Sequence, residues 1–192
     1  MTLARGQTLI ELIAAIAVLG FGLFTVMMFA ISNTQGVQRS TDEVASLNLA
    51  REEIEFAKNL RDSNWMAGNV PFDTGMYSGT DYSATPLWGG SGAASFDFTA
   101  DDYAHAQSVV VSSTSGYYAN AHTAGPAITG MATPYSRYVV FHPICDDHSV
   151  LNSGSACISP LYKIGVRVEA RVRVSRQSIK EVVMYEDLYD WR

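Results

Sequence analysis

An apolar run from Leu12 to Ile31 with a single carboxylate, Glu11, at its mouth constrains this chain more than any other feature. The run is about 20 residues long, enough for a helix to cross the hydrocarbon core of a bilayer. Its polar interruptions are mild. The Thr25 hydroxyl can bond back to its own helix, and glycines such as Gly20 and Gly22 are common in membrane helices. Arg5 lies before the run, and the first charge after it is Arg39. The positive-inside rule therefore predicts a single-pass protein of the cytoplasmic membrane. Its N-terminus is cytoplasmic and the chain beyond about Ser32 extracytoplasmic.

Glu11 is the anomaly. A carboxylate at the centre of a membrane helix costs roughly 2.5–3.5 kcal/mol, and less near the interface. Such a residue calls for a cationic partner. An α-amino group would serve, and cleavage between Gly6 and Gln7 would create one, either in the same chain or on a neighbouring copy of the helix.

The stretch Arg5-Gly6-Gln7-Thr8-Leu9-Ile10-Glu11-Leu12 with the apolar helix behind it resembles the N-terminal signature of type IV pilins and pseudopilins. The resemblance covers about the first 30 residues; beyond them it is one of architecture. It implies that a prepilin peptidase cuts after Gly6 and methylates the new amine of Gln7. It also implies that Glu11 pairs with a neighbour's N-terminus during filament assembly, and that Gly20, with Gly22 beside it, lets the helix stretch. Gln7 stands where the family has phenylalanine, a departure that bears on methylation and not on cleavage; no proline precedes Pro71, and that absence tilts toward a minor pilin or a pseudopilin. The implied partners are the peptidase/methyltransferase, other pilin or pseudopilin subunits, a membrane assembly platform and, before assembly, membrane lipid. The implied final location is a cell-surface or periplasmic filament.

Two other readings compete. A secretory signal has an apolar core of about 7–15 residues and a small-residue cleavage site; this core is longer, and Ala30-Ile31-Ser32 is a weak site. A single-pass anchor carrying a binding domain that never assembles accounts for the apolar run, but for neither Gly6 nor Glu11.

The chain has 192 residues and a net charge of −6, so bulk attraction to nucleic acid or anionic lipid is not expected. Between Arg61 and Arg137 there is no Lys or Arg, which makes the middle an acidic surface rich in Gly, Ser, Thr and Tyr. Cys145 and Cys157 are the only cysteines. Beyond a membrane helix an even count permits a disulfide, here around the turn signal Asn152-Ser153-Gly154; two free buried thiols are the alternative.

The periodicities predict an α+β fold: a long N-terminal helix, half membrane-embedded and half amphipathic, packed on a C-terminal antiparallel sheet. The expected parts are a leader over 1–6, an assembly helix over 7–35, an amphipathic helix over 36–64 and a pilin-like β domain over 65–192. The helix should run from about Thr8 to Asp62, with a bend possible near Gly36 where Ser40 or Thr41 with Glu43 hints at a cap. Val44, Leu47, Ala50, Ile54, Ala57 and Leu60 form an apolar stripe. Arg51–Glu55 and Lys58–Asp62 are i,i+4 pairs on the other face. Trp65, just past the helix end, is expected to dock in the core, and Trp191 against the sheet. Val109-Val110-Val111 reads as a strand, as does Arg137 to His142, ended by Pro143. From Tyr162 to Val174 apolar and polar residues alternate, predicting a half-buried strand with a largely basic outer face. Arg176-Gln177-Ser178 then turns it into a hairpin with Ile179–Glu186.

Chemistry finds little support. Gly89-Gly90-Ser91-Gly92 lacks the ending and context of a phosphate loop. His105, His122, His142 and His148 form no zinc motif. Asp146-Asp147-His148 is read as a solvated loop rather than a cation site. Asp101-Asp102 with His105 has no accompanying nucleophile motif. No cofactor, metal or catalytic residue is expected, and a membrane-anchored enzyme has no motif behind it. Tyr77, Tyr82, Tyr103, Tyr117, Tyr118 and Tyr135 either form a contact surface or pack their rings. The basic strand face is the best nucleic-acid candidate, but Glu169 interrupts it and the surrounding domain is acidic.

Overall fold

The computed structural model describes residues 4–79, 81–88, 94–98, 102–105, 108–113, 118–120, 130–176 and 180–191, with side chains in the first helix described from Leu9 onward. That helix, α1, spans Ala4–Ala67. Contacts divide the chain into two units, Met1–Glu43 and Val44–Arg192.

In the first unit every described residue from Leu9 to Thr41 is exposed. Its most apolar 18-residue window has a mean hydropathy of 2.5, so the helix is long and apolar enough to cross a membrane. The hydroxyls of Thr25, Thr34 and Thr41 donate to the carbonyls of Phe21, Ala30 and Val37, at 2.5, 2.9 and 3.0 Å. The helix runs unbroken through Gly36, where the sequence allows a break or bend. Thr41 is part of the explanation: its hydroxyl bonds back one turn instead of capping a new helix.

In the second unit α1 supplies Leu49, Ala50, Ile54, Phe56, Ala57 and Leu60 to the core. The expected stripe is shifted at its start. Val44 and Leu47 are 55% and 39% exposed, while Ser46 and Leu49 face inward. The helix ends about a turn beyond the expected Asp62. Gly68 takes a left-handed φ of 73°, and its N–H donates to the carbonyls of Asn64 and Trp65, the geometry of a glycine cap. Trp65 therefore lies inside the last turn, 53% exposed, and Phe72 is buried where the tryptophan was expected.

Seven strands among the described residues follow: β1 Ser83–Trp88, β2 Ala94–Asp97, β3 Val109–Ser113, β4 Tyr118–Asn120, β5 Gly130–Cys145, β6 Lys163–Val174 and β7 Lys180–Tyr189. All pairings are antiparallel. β5 pairs with β6 from Tyr135↔Val174 to Cys145↔Lys163, and β6 with β7 from Gly165↔Tyr189 to Val174↔Lys180. The other edge of β5 is shared: β3 lies along residues 130–136 and β1 along Val139–Val140. β2 and β4 complete hairpins with β1 and β3.

The alternation in β6 holds, with Val166, Val168, Ala170, Val172 and Val174 buried against the helix side of the core. Phe96 joins the layers, its ring edge-on to Phe56 at 5.1 Å and to Phe141 at 5.0 Å. Pro143 does not end its strand. Phe141 and Cys145 donate their N–H groups to Tyr82 and Ser149, on the edge away from β6. Pro143 is in phase with them, so its missing N–H falls on that edge and costs the β5–β6 ladder nothing. Residues 177–179 of the expected turn, Gly89 to Gly92, Asp101, Tyr117 and His122 lie outside the described residues.

Candidate functional site

Gly6, Gln7, Glu11, Gly20 and Gly22 all lie on α1. Gln7 and Glu11 are four residues apart, which places them on one face of the helix, a turn from each other. Glu11 is exposed and offers only acceptor oxygens when ionised. Behind it the large apolar side chains are exposed from 43% at Ile31 to 76% at Phe21. Covering one such side chain with lipid or protein stabilises by about 1.5–3 kcal/mol, so this surface is built to be covered. A Cβ added at Gly20 or Gly22 would meet nothing within 4 Å; packing within the chain does not require these glycines. A helical glycine costs about 1 kcal/mol relative to alanine.

Cys145 and Cys157 form a disulfide, with their Cα atoms 5.8 Å apart. The first half of the enclosed loop is fastened to the end of β5. Leu151 N–H donates to the Pro143 carbonyl at 3.0 Å, and the Leu151 carbonyl lies 3.2 Å from His142 Nδ1. The turn at Asn152 is present, with Ser155 N–H donating to Asn152 O and Gly154 at φ 82°.

The outer face of β6 is not a free basic surface. Arg167 pairs with Asp187, Arg171 with Glu169 and Glu181, and the Arg173 guanidinium lies 4.0 Å from the centre of the Tyr103 ring. Tyr103 packs edge-on against Tyr138, and Tyr77 stacks on Tyr82. These tyrosines pack their rings, and Tyr103 directs its hydroxyl to Glu181. Lys58 pairs with Glu55 and Glu186 rather than with Asp62, whose carboxylate takes Arg61. In the cysteine loop Asp147 accepts from the Ser149 N–H and hydroxyl, which hold its carboxyl below the usual range. Among the described residues no group of three His, Cys, Asp or Glu side chains is arranged to hold a metal ion. His105 lies 3.9 Å from Asp102.

No protein-family model, curated protein or solved structure matches this chain.

Two features escaped sequence reasoning. One is a cavity of about 460 Å³ between the end of α1 and the end of β7, lined by Trp65, Phe72, Tyr189 and Trp191 with Arg61 and Asp62. Trp191 is 75% exposed there and stands under the Arg61 guanidinium, 5.0 Å away, rather than against the sheet. The other is a buried charge cluster. Arg137 on β5 is fully buried. Its Nε donates to Asn120 Oδ1 at 2.8 Å and its Nη1 to Glu52 Oε2 at 2.9 Å. Glu53, also fully buried, has Oε1 4.0 Å from the same guanidinium. The spacing held a signal for it: Glu53 follows Ala50 by three residues and precedes Ala57 by four, which puts it on the inward stripe.

Proposed function

We propose that this chain is a prepilin-like structural subunit, possessing the traits of a minor pilin or pseudopilin, of a type IV pilus or a type II secretion-like filament. The observation that carries the reading is the exposed apolar segment of α1 with one carboxylate, Glu11, a turn beyond Gln7. A lipid bilayer covers such a segment first. After cleavage at Gly6–Gln7, an assembly platform withdraws the helix from the membrane, and the helices of neighbouring subunits replace the lipid. A neighbour's terminal amine then meets Glu11, which offsets the cost of a lone carboxylate in an apolar bundle. The α+β arrangement, with the second part of α1 seated on an antiparallel sheet, agrees with this role.

The test is the N-terminal peptide of the native protein, read by mass spectrometry in membrane and sheared-surface fractions. A chain beginning at Gln7, methylated or not, is the expected result. A start near Asn33 would identify a cleaved secretory signal and overturn the proposal.

A second reading, an anchored extracytoplasmic binding domain that does not assemble, is favoured by the cavity beside Trp65 and Trp191, whose size suits a small ligand. Retention of Met1 or Thr2 on the native chain would support it over the filament subunit.

A further inference from the structure

The cluster around Arg137 contains more negative charge than it can neutralise. Two carboxylates, Glu52 and Glu53, converge on one guanidinium. The guanidinium gives Nη1 to Glu52, which is partly solvated, and Nε to Asn120 on β4, while its Nη2 is buried and, among the described residues, bonds to neither carboxylate. Glu53 is fully buried, and among the described residues neither of its oxygens has a hydrogen-bond partner. An ionised carboxylate in that position would lack water and, with the Arg137 Nε 4.0 Å away, a donor within hydrogen-bond distance, a costly arrangement in a protein interior. A proton on Glu53 removes the charge and leaves only the smaller cost of burying an unpaired neutral group.

We propose that Glu53 is held as an uncharged carboxylic acid in the folded protein at neutral pH, so that seating α1 against β4 and β5 is coupled to the uptake of one proton. The unfolded chain carries Glu53 as a carboxylate; on folding the carboxylate takes a proton from solvent and becomes the acid. The groups facing it set the balance. Burial raises its carboxyl, Arg137 on β5 opposes the rise and Glu52 on the same helix adds to it, and together they leave it at about 8. The direction of the linkage follows. A carboxyl whose folded value lies above its unfolded value contributes stability that is complete below the unfolded value and is lost as pH rises through the folded one. The seat of α1 therefore loosens toward alkaline pH, the reverse of the effect of a salt-bridged carboxylate.

The experiment uses the full chain in detergent micelles. Denaturant unfolding is followed by tryptophan fluorescence from about pH 5 to pH 9, with wild type compared to Glu53→Gln, a neutral side chain of the same shape. The unfolding equilibrium constant of wild type relative to the variant should rise about tenfold per pH unit between the unfolded and folded values. A ratio that does not change with pH would overturn the proposal. Infrared spectroscopy of wild type supplies a measurement that does not need the variant to fold. The carbonyl stretch of a protonated carboxylic acid should be present at pH 7 and vanish at alkaline pH. Its absence at pH 7 would equally overturn the assignment.

Discussion

Arg167 and Asp187 stand opposite each other on β6 and β7 and are joined twice, Nε to Oδ1 at 2.7 Å and Nη2 to Oδ2 at 2.9 Å. The hydrogen bonds from Arg167 hold the Asp187 carboxyl below its usual range. Its folded value is depressed, so the pair's contribution is present at neutral pH and is lost as pH falls through that value. Both partners are partly exposed, which limits the effect. Asp187→Asn should cost a few tenths to about 1 kcal/mol at pH 7, and the difference from wild type should disappear in strong acid. Paired melting curves at the two pH values check this.

The same pairing bears on nucleic acid. With Arg167, Arg171 and Arg173 each engaged within the domain, duplex DNA should show no salt-dependent retention by the full chain. A binding constant that falls steeply with salt would contradict this.

The disulfide closes a loop of sequence separation 12. In the chain-entropy model, removing it costs about 3 kcal/mol. Because Ser149 and Leu151 are bonded to β5, reduction should release the loop unevenly. Amide exchange should accelerate from Asn152 to Cys157 before it does from Asp146 to Leu151, and exchange mass spectrometry with and without reductant reads the order.

Gly165 has no room for a side chain. A Cβ there would lie 2.8 Å from the Leu188 carbonyl oxygen and 2.9 Å from Tyr189 Cδ1. Backbone of β7 would have to move, so Gly165→Ala should destabilise by about 1–3 kcal/mol, read as a lowered denaturation midpoint with an unchanged denaturant slope.

Under the filament proposal, Glu11→Ala should leave a membrane-inserted protein but cut its incorporation into filaments, scored by the share of the chain in sheared fractions. The motivating observation is the isolated carboxylate on an otherwise apolar helix surface. Normal filament yield from that variant would sink the assigned role of Glu11.

The parts of this fold that sequence made legible are those set by strong periodicity. The apolar run and the alternation from Ile164 to Val174 each repeat one signal many times, and both elements stand where the pattern places them. Single-residue signals were weaker guides. Trp65 reads as a core residue by size, yet the glycine cap at Gly68 extends the helix and carries it outward. Pro143 reads as a strand end, but which edge lacks its donor is a tertiary fact. Arg137 reads as the start of a strand, and only the arrival of α1 and β4 buries it. For the candidate site, the helix positions of Gln7 and Glu11 are local and legible. Their partners, if they lie on other copies, are written in no single chain.

The shared edge of β5 also bears on how the protein avoids clumping while it folds. β5 is long, and three pieces from separate parts of the chain cover the edge that faces away from β6: β3, β1 with Tyr82, and the Ser149–Leu151 segment. Of these pieces β1 pairs with β5 across the longest stretch of chain, from Ala84↔Val139 to Ser83↔Val140, longer than any pair of β5 with β6 or β3. β1 and its hairpin partner β2 are therefore expected to arrive late. Until they do, an apolar strand with open donors and acceptors is a template for the same strand in another molecule. A chain of this design has reason to meet a chaperone, and the β5 edge is where that chaperone would be needed.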